Sequence, residues 1–248
     1  NLIIKPKTIN AIVGSNGTGK TTLARHINGL LKPTSGNVFV FGKNTKKISV
    51  ATLSKEIGMV FQNSNHQLFA DTVKNEILFG LNNFETDSKQ KRIRYEWALN
   101  FFNLNKYEDT SPLKLSGGEK KRLCIASVLA WNPEVLILDE PTVGQDQVQK
   151  GKMLEFISNL NKEGKTIIII SHDLEFLWAL NPNVIVMANG KIKKTGNITN
   201  IFSDDELLNQ TCLMKPQLLD LWMRLNIKKE PPFDVKKATD IIKRIRRN

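Results

Sequence analysis

The stretch Gly14-Ser15-Asn16-Gly17-Thr18-Gly19-Lys20-Thr21 fills the pattern G-x-x-x-x-G-K-[ST], with Thr22 directly after it. The chemistry this pattern can do is to hold phosphate. Glycine lets successive backbone N–H groups curl around an anion without Cβ clashes, and the start of a helix adds a favourable dipole. Lys20 would reach the outer phosphates of a nucleoside triphosphate, and the Thr21 hydroxyl would hold Mg²⁺. The apolar run Ile9-Asn10-Ala11-Ile12-Val13 lies before the loop and the helix-capable residues 23–27 lie after it, giving the strand, loop and helix context that the pattern requires.

Two further stretches carry chemistry. Glu134-Val135-Leu136-Ile137-Leu138-Asp139-Glu140-Pro141 reads as a short buried strand ending in two carboxylates, where open parallel sheets place their sites. Asp139 is placed to face a metal, which leaves Glu140 to polarise a water for attack on a terminal phosphate. A lone Asp-Glu pair would be an ordinary strand end or helix cap. Leu115-Ser116-Gly117-Gly118-Glu119-Lys120-Lys121-Arg122 precedes a helical run over 123–131. Its serine and two glycines offer a hydroxyl and uncrowded backbone donors to an anion. In isolation the same residues are a capping turn, with Lys120, Lys121 and Arg122 as a solvated basic face.

Taken in order, these stretches resemble the nucleotide-binding subunits of ABC transporters, over nearly the whole chain up to about Phe202. Gly14 to Thr21 is similar to their Walker A, Gln62 after Met59-Val60-Phe61 to the Q-loop glutamine, and Leu115 to Glu119 to the signature. Asp139 and Glu140 resemble the Walker B pair, and Ser171-His172-Asp173 the switch-histidine segment. The resemblance implies an α/β P-loop NTPase of ABC type, with a mostly parallel sheet core, a helical subdomain at about 63–131 and a short C-terminal helical extension. The ATPase domain would occupy 1–202, its N-terminal strands incomplete, and the extension 203–248.

The resemblance also implies the mechanism. Two such domains pair head to tail, each ATP lying between residues 14–22 of one and Ser116, Gly117 and Gly118 of the other. Asp146 would make the D-loop contact across the pair. Thr21, Gln62 and Asp139 would hold Mg²⁺, Glu140 would act as base, and His172 would contact the γ-phosphate. Gln62 would report the state of the site to a membrane partner. Where relatives commonly have Leu after the Walker B turn this chain has Gln145, and none of the thirteen residues before Gly14 is aromatic, so no adenine platform is assigned.

The run Phe61-Gln62-Asn63-Ser64-Asn65-His66-Gln67-Leu68-Phe69-Ala70-Asp71-Thr72-Val73 further resembles the Q-loop region of energy-coupling factor ATPases, the cobalt and vitamin importers. Residues 30–36 and Ser111-Pro112 point the same way. This narrower likeness implies a second ATPase subunit, identical or paralogous, a transmembrane coupling subunit and a substrate-binding membrane subunit. It implies a peripheral position on the cytoplasmic face of the cell membrane and no nucleic-acid partner. The alternative is a soluble ABC ATPase acting on ribosomes or nucleic acid, or one half of a tandem protein, which the net charge of +12 would suit.

The remaining elements follow from pattern. Residues 37–41 alternate as a half-buried strand, 58–62 form another, and 72–81 and 88–104 are helical. Ile93, Trp97, Phe101 and Leu104 fall on one stripe, and core packing is expected of Trp97 and Phe101. Asn189-Gly190 is a two-residue hairpin turn. Leu218, Leu221, Trp222 and Leu225 share a face, as do Ala238, Ile241, Ile242 and Ile245. The eight basic residues from Lys228 onward are either a solvated face or an attraction to anionic headgroups. Cys124 and Cys212 are too few for a disulfide framework and are expected as buried free thiols. No apolar run approaches the ~18 residues of a spanning helix.

Overall fold

The computed structural model describes residues 1–84, 87–227 and 230–245, apart from the Ile245 side chain. In chain order the elements are β1 (Ile9–Val13), α1 (Lys20–Ile27), β2 (Phe39–Val40), β3 (Lys43–Asn44), α2 (Val50–Ser54), β4 (Ile57–Val60) and α3 (Val73–Phe84). There follow α4 (Ser88–Phe101), α5 (Gly117–Ala130), β5 (Val135–Asp139), α6 (Gln147–Lys162), β6 (Thr166–Ile170) and α7 (Leu174–Leu180). The last are β7 (Asn183–Ala188), β8 (Lys191–Asn197), α8 (Ile198–Phe202), α9 (Asp205–Thr211), α10 (Gln217–Arg224) and α11 (Val235–Ile245). They form two compact units, Asn1–Lys20 with Gln147–Asn248, and Thr21–Asp146. Among the described residues no helix is long and apolar enough to cross a membrane.

In the first unit β1 lies between β6 and β7 and runs parallel to both, with Ile9 opposite Ile167 and Ala11 opposite Val184. Every residue of β6 is buried, which is why Thr166-Ile-Ile-Ile-Ile shows no alternation: a strand covered on both faces has no polar side. The β7–β8 hairpin turns as expected at Asn189 (φ 51°) and Gly190 (φ 71°), both left-handed as a tight primed turn demands. Trp178 on α7 is 1% exposed, donates its indole N–H to Pro232 O at 3.0 Å and meets the Phe233 ring at 5.1 Å. Those contacts hold the segment ahead of α11 to α7.

Helix α10 corrects the expected stripe. Leu218, Leu219 and Trp222 are buried, whereas Leu221 and Leu225 are 45% and 48% exposed, so the buried sector is rotated toward Leu219. On α11 Ala238 is buried and Ile241 and Ile242 are half-buried. The Ile245 side chain and the basic residues Lys228, Lys229, Arg246 and Arg247 lie outside the described residues. Cys212 is exposed rather than buried, because it caps α9 in a left-handed conformation (φ 54°) that turns it out of the helix.

In the second unit β4 and β5 pair in parallel from Ile57 opposite Val135 to Val60 opposite Leu138. Helix α5 packs close enough on β4 that a Cβ on Gly58 would lie 2.4 Å from Val128 Cγ1. A Cβ on Gly80 of α3 would lie 2.4 Å from the Trp131 ring at the end of α5, and Phe84 tilts against that ring at 5.1 Å. Two readings of the sequence are corrected here. The half-buried alternation over 37–41 is present, with the valines inward and Phe39 and Phe41 62% and 51% exposed, but the strand is shorter than read, a ribbon of only two residues per strand. Trp97 and Phe101 stack with centroids 5.4 Å apart on the outside of α4, 40% and 47% exposed, while Ala98 and Leu99 turn inward.

Candidate functional site

The phosphate-loop candidate begins where β1 ends. Gly14 (φ 153°), Gly17 (φ 80°) and Gly19 (φ 94°) all take positive φ, so the glycines of the pattern sit where L side chains are strained. Gly14 is also walled in: a Cβ there would lie 2.2 Å from Met187 O on the neighbouring β7 and 2.9 Å from Thr18 Oγ1. A Gly14→Ala chain is therefore expected to lose about 3 kcal/mol or more of stability, read as a lowered denaturant midpoint, since backbone cannot step aside. A midpoint equal to the parent's would contradict this packing.

Thr18, 5% exposed, closes the loop by donating its hydroxyl to Ser15 O at 2.9 Å. Ser15, Asn16 and Gly17 are exposed, and a Cβ on Gly17 would meet nothing within 4 Å. Lys20 opens α1 and is 9% exposed, its Nζ donating to Gly14 O at 2.8 Å and Ser15 O at 2.9 Å. A cation and the start of a helix thus converge on an open, glycine-lined turn, which fits an anion of phosphate type.

Thr21 follows Lys20 on α1, and its hydroxyl donates to Asp139 Oδ2 at 2.9 Å across 118 positions of chain. Asp139 ends β5 at 3% exposure. A hydroxyl and a carboxylate at this separation are a hard oxygen set of the kind Mg²⁺ takes. Glu140, 7% exposed, has φ 50°, a conformation that costs a non-glycine residue about 1 kcal/mol. Such strain at the residue after a buried strand is a mark of functional sites. Gln62, Thr22 and Asp146 are exposed.

The third stretch folds as a helix start. Ser116 caps α5, accepting from Glu119 N, while Glu119 Oε2 accepts from Ser116 N at 2.8 Å and from the Ser116 hydroxyl at 2.7 Å. The Ser-x-x-Glu spacing of a capping box was legible in the sequence. Tyr107 was not: its hydroxyl donates to Glu119 Oε1, and that bond together with those from Ser116 draws the Glu119 carboxyl down to about 2. Gly117 is exposed and Gly118 half-buried, so the turn presents its backbone to solvent.

The alternative of a solvated basic face for Lys120, Lys121 and Arg122 does not hold. Lys120 Nζ donates to Asn65 Oδ1 at 3.0 Å, Arg122 Nε donates to Phe102 O at 3.1 Å, and Lys121 is only 4% exposed. The Lys121 ammonium donates to Phe61 O at 3.0 Å, Asp139 O at 3.3 Å and Gln62 O at 3.4 Å. Burial pushes its pKa down, while Cys124, Asp139 and Glu140 pull it up. Burial likewise raises the Cys124 thiol to about 11, which makes it inert.

In the first unit His172 is exposed between β6 and α7. Ser171 Oγ accepts from Asp173 N at 3.0 Å, and Asp173 caps α7 and pairs with Lys150 Nζ at 2.5 Å. The peptide carrying His172 is thereby fixed at both neighbours.

The ABC transporter family matches residues 1–143. The energy-coupling factor transporter ATP-binding protein EcfA of Methanocaldococcus jannaschii is 40% identical over 236 residues, 94% of this chain and 85% of that protein. Among solved structures cbiO1 of Clostridium perfringens, part of the ABC transporter complex cbiONQ, aligns at a TM-score of 0.73 and 35% identity, over 92% of this chain and 90% of its own. An ATP-binding cassette in a dimeric post-hydrolysis state bound to ADP and Pi aligns at 0.71 and 28% identity, over 80% of this chain and 88% of its own.

Proposed function

The chain belongs to the ABC transporter family as an ATP-binding and ATP-hydrolysing subunit, and on that premise we propose that it powers an importer of the energy-coupling factor type. Similarity to EcfA and to cbiO1 over more than nine-tenths of the chain supports this reading. The cargo would be a vitamin or a transition-metal ion, carried by separate membrane subunits. The chain would sit peripherally on the cytoplasmic face of the membrane, paired with a second ATPase through its nucleotide sites and through residues 203–248. A relative solved as a dimer with ADP and Pi supports the pairing.

The observation that carries the site assignment is the Thr21–Asp139 hydrogen bond, which joins the helix after the phosphate loop to the acid ending β5. ATP would lie on residues 14–22, with Lys20 against the outer phosphates. Thr21, Asp139 and Gln62 would hold Mg²⁺, which when bound neutralises phosphate charge. Glu140 would take a proton from a water as the water oxygen bonds to the γ-phosphorus and the bond to the ADP oxygen breaks. Ser116, Gly117 and Gly118, with Asp146, would close over the ATP of the partner ATPase, and His172 would contact the γ-phosphate in its own chain.

Affinity capture of the tagged chain from detergent-solubilised membranes tests the assembly. The expected result is recovery of a second ATPase and an integral membrane protein, with ATP turnover in the captured complex. Recovery wholly in the soluble fraction, with turnover stimulated by RNA, would replace this reading with a ribosome- or nucleic-acid-acting ATPase.

A further inference from the structure

Strands β4 and β5 stop pairing after Val60 and Leu138. Phe61 O and Gln62 O come next along the chain after β4, and Asp139 O ends β5. All three receive the ammonium of Lys121, a residue 59 to 60 positions from the first two and 18 from the third. Lys121 is 4% exposed, and its three N–H bonds match these three acceptors. A buried ammonium is tolerated only where it is so compensated, and removing it would delete three donated bonds at once.

The placement matters because of what adjoins each carbonyl. Gln62 itself supplies one. Asp139 supplies another, with its side chain on the Thr21 hydroxyl and with Glu140 next in sequence. Lys121 stands in the second turn of α5, whose first turn is the Ser116–Glu119 capping box. The neighbouring Lys120 adds a bond to Asn65, and Cys124 Sγ lies 3.8 Å from Ser64 O, so one face of α5 is fastened to residues 61–65.

We propose that Lys121 is a positioning residue that ties the signature turn of α5 to the strand ends bearing Gln62 and Asp139, so that nucleotide held by a chain sets how it presents Ser116 to Gly118 to its partner. The proposal rests on the paired-ATPase reading above. A shift separating the ends of β4 and β5 stretches the Lys121 bonds, and the helix start must follow because its second turn is anchored there. The bonds Lys121 donates go to the main-chain carbonyls of Phe61, Gln62 and Asp139, so in this proposal it acts through Gln62 and Asp139 rather than on nucleotide.

The test compares Lys121→Met, which keeps length without donors, with Lys121→Gln, whose amide can still donate to two of the carbonyls. Binding of a fluorescent ATP analogue to the isolated full chain is expected within about twofold of the parent for both. On a Glu140→Gln background, the ATP concentration that half-forms the dimer, followed by light scattering, is expected to rise about tenfold for Lys121→Met. Lys121→Gln is expected to recover most of that loss, and kcat in the assembled transporter should follow the same order. Parental dimerisation and kcat in Lys121→Met would overturn the proposal, as would an equal loss of analogue binding, which marks a general support of the fold. Should the Met chain not fold, the Gln chain decides: a defect of about threefold confined to pairing is expected, and none overturns it. A Glu140→Gln parent that never pairs with ATP would overturn the paired-ATPase reading and this proposal with it.

Discussion

Exchanging Glu140 for Gln is expected to slow phosphate release from the assembled transporter by ~10²–10⁴-fold, the span of a lost general base, while ATP stays bound. The amide keeps the size of the carboxylate and cannot accept the proton of the attacking water. Glu140 is 7% exposed directly after the buried end of β5, so an amide of the same size and shape suits the same enclosed place. If two chains pair over ATP as proposed above, with separation waiting on cleavage, the pair should then outlast the parental one. Phosphate release and light scattering measured on one preparation check both halves. Turnover at the parental rate would remove Glu140 from the chemistry and leave its strained backbone without an explanation.

How much of this was legible in the residues follows from the range of the interactions. The three chemical stretches and the strands β1 and β5 could be read because each is a contiguous run whose local pattern fixes local structure. Four consecutive isoleucines bounded by Thr166 and Ser171 suit a strand buried on both faces, as β6 is. The hairpin at Asn189-Gly190 was legible for the same reason: two residues carry the whole requirement for left-handed backbone.

What could not be read depends on atoms that a sequence does not place. On α4 the apolar residues Ile93, Trp97 and Phe101 dominate any reading of the stripe, yet the helix buries Ala98 and Leu99 beside them. Leu99 is as large as Ile93 and buried where Ile93 is 49% exposed, so the side of the helix a residue occupies, not its size, decides its burial. The Lys120-Lys121-Arg122 run reads as solvated charge because nothing local supplies an acceptor. Its acceptors are Asn65, Phe61, Gln62, Asp139 and Phe102, brought in by tertiary structure. Tyr107 escaped notice likewise, twelve positions from the Glu119 it binds and outside any motif spacing. The pattern is consistent: residues that would touch nucleotide are named by motif, and residues that hold those in place are not.

The loop itself gives the other large effect. Replacing Lys20 with Ala is expected to lower ATP affinity by about 10–100-fold, the loss of one or two charge-assisted hydrogen bonds to phosphate. The ammonium already lies at the loop, 2.8 Å from Gly14 O and 2.9 Å from Ser15 O, so little reorganisation separates its present place from an anion over the same turn. Its removal deletes the cation and also loosens two carbonyls that it gathers. The two consequences separate experimentally. Lys20→Met keeps much of the side-chain packing and none of the charge, so a common fall in affinity for both variants assigns the effect to charge. Recovery in the Met chain would assign it to loop support instead. Titration of each variant with a fluorescent ATP analogue, beside thermal melts to establish folding, makes the comparison, and affinity unchanged in both would dismiss the phosphate-loop assignment.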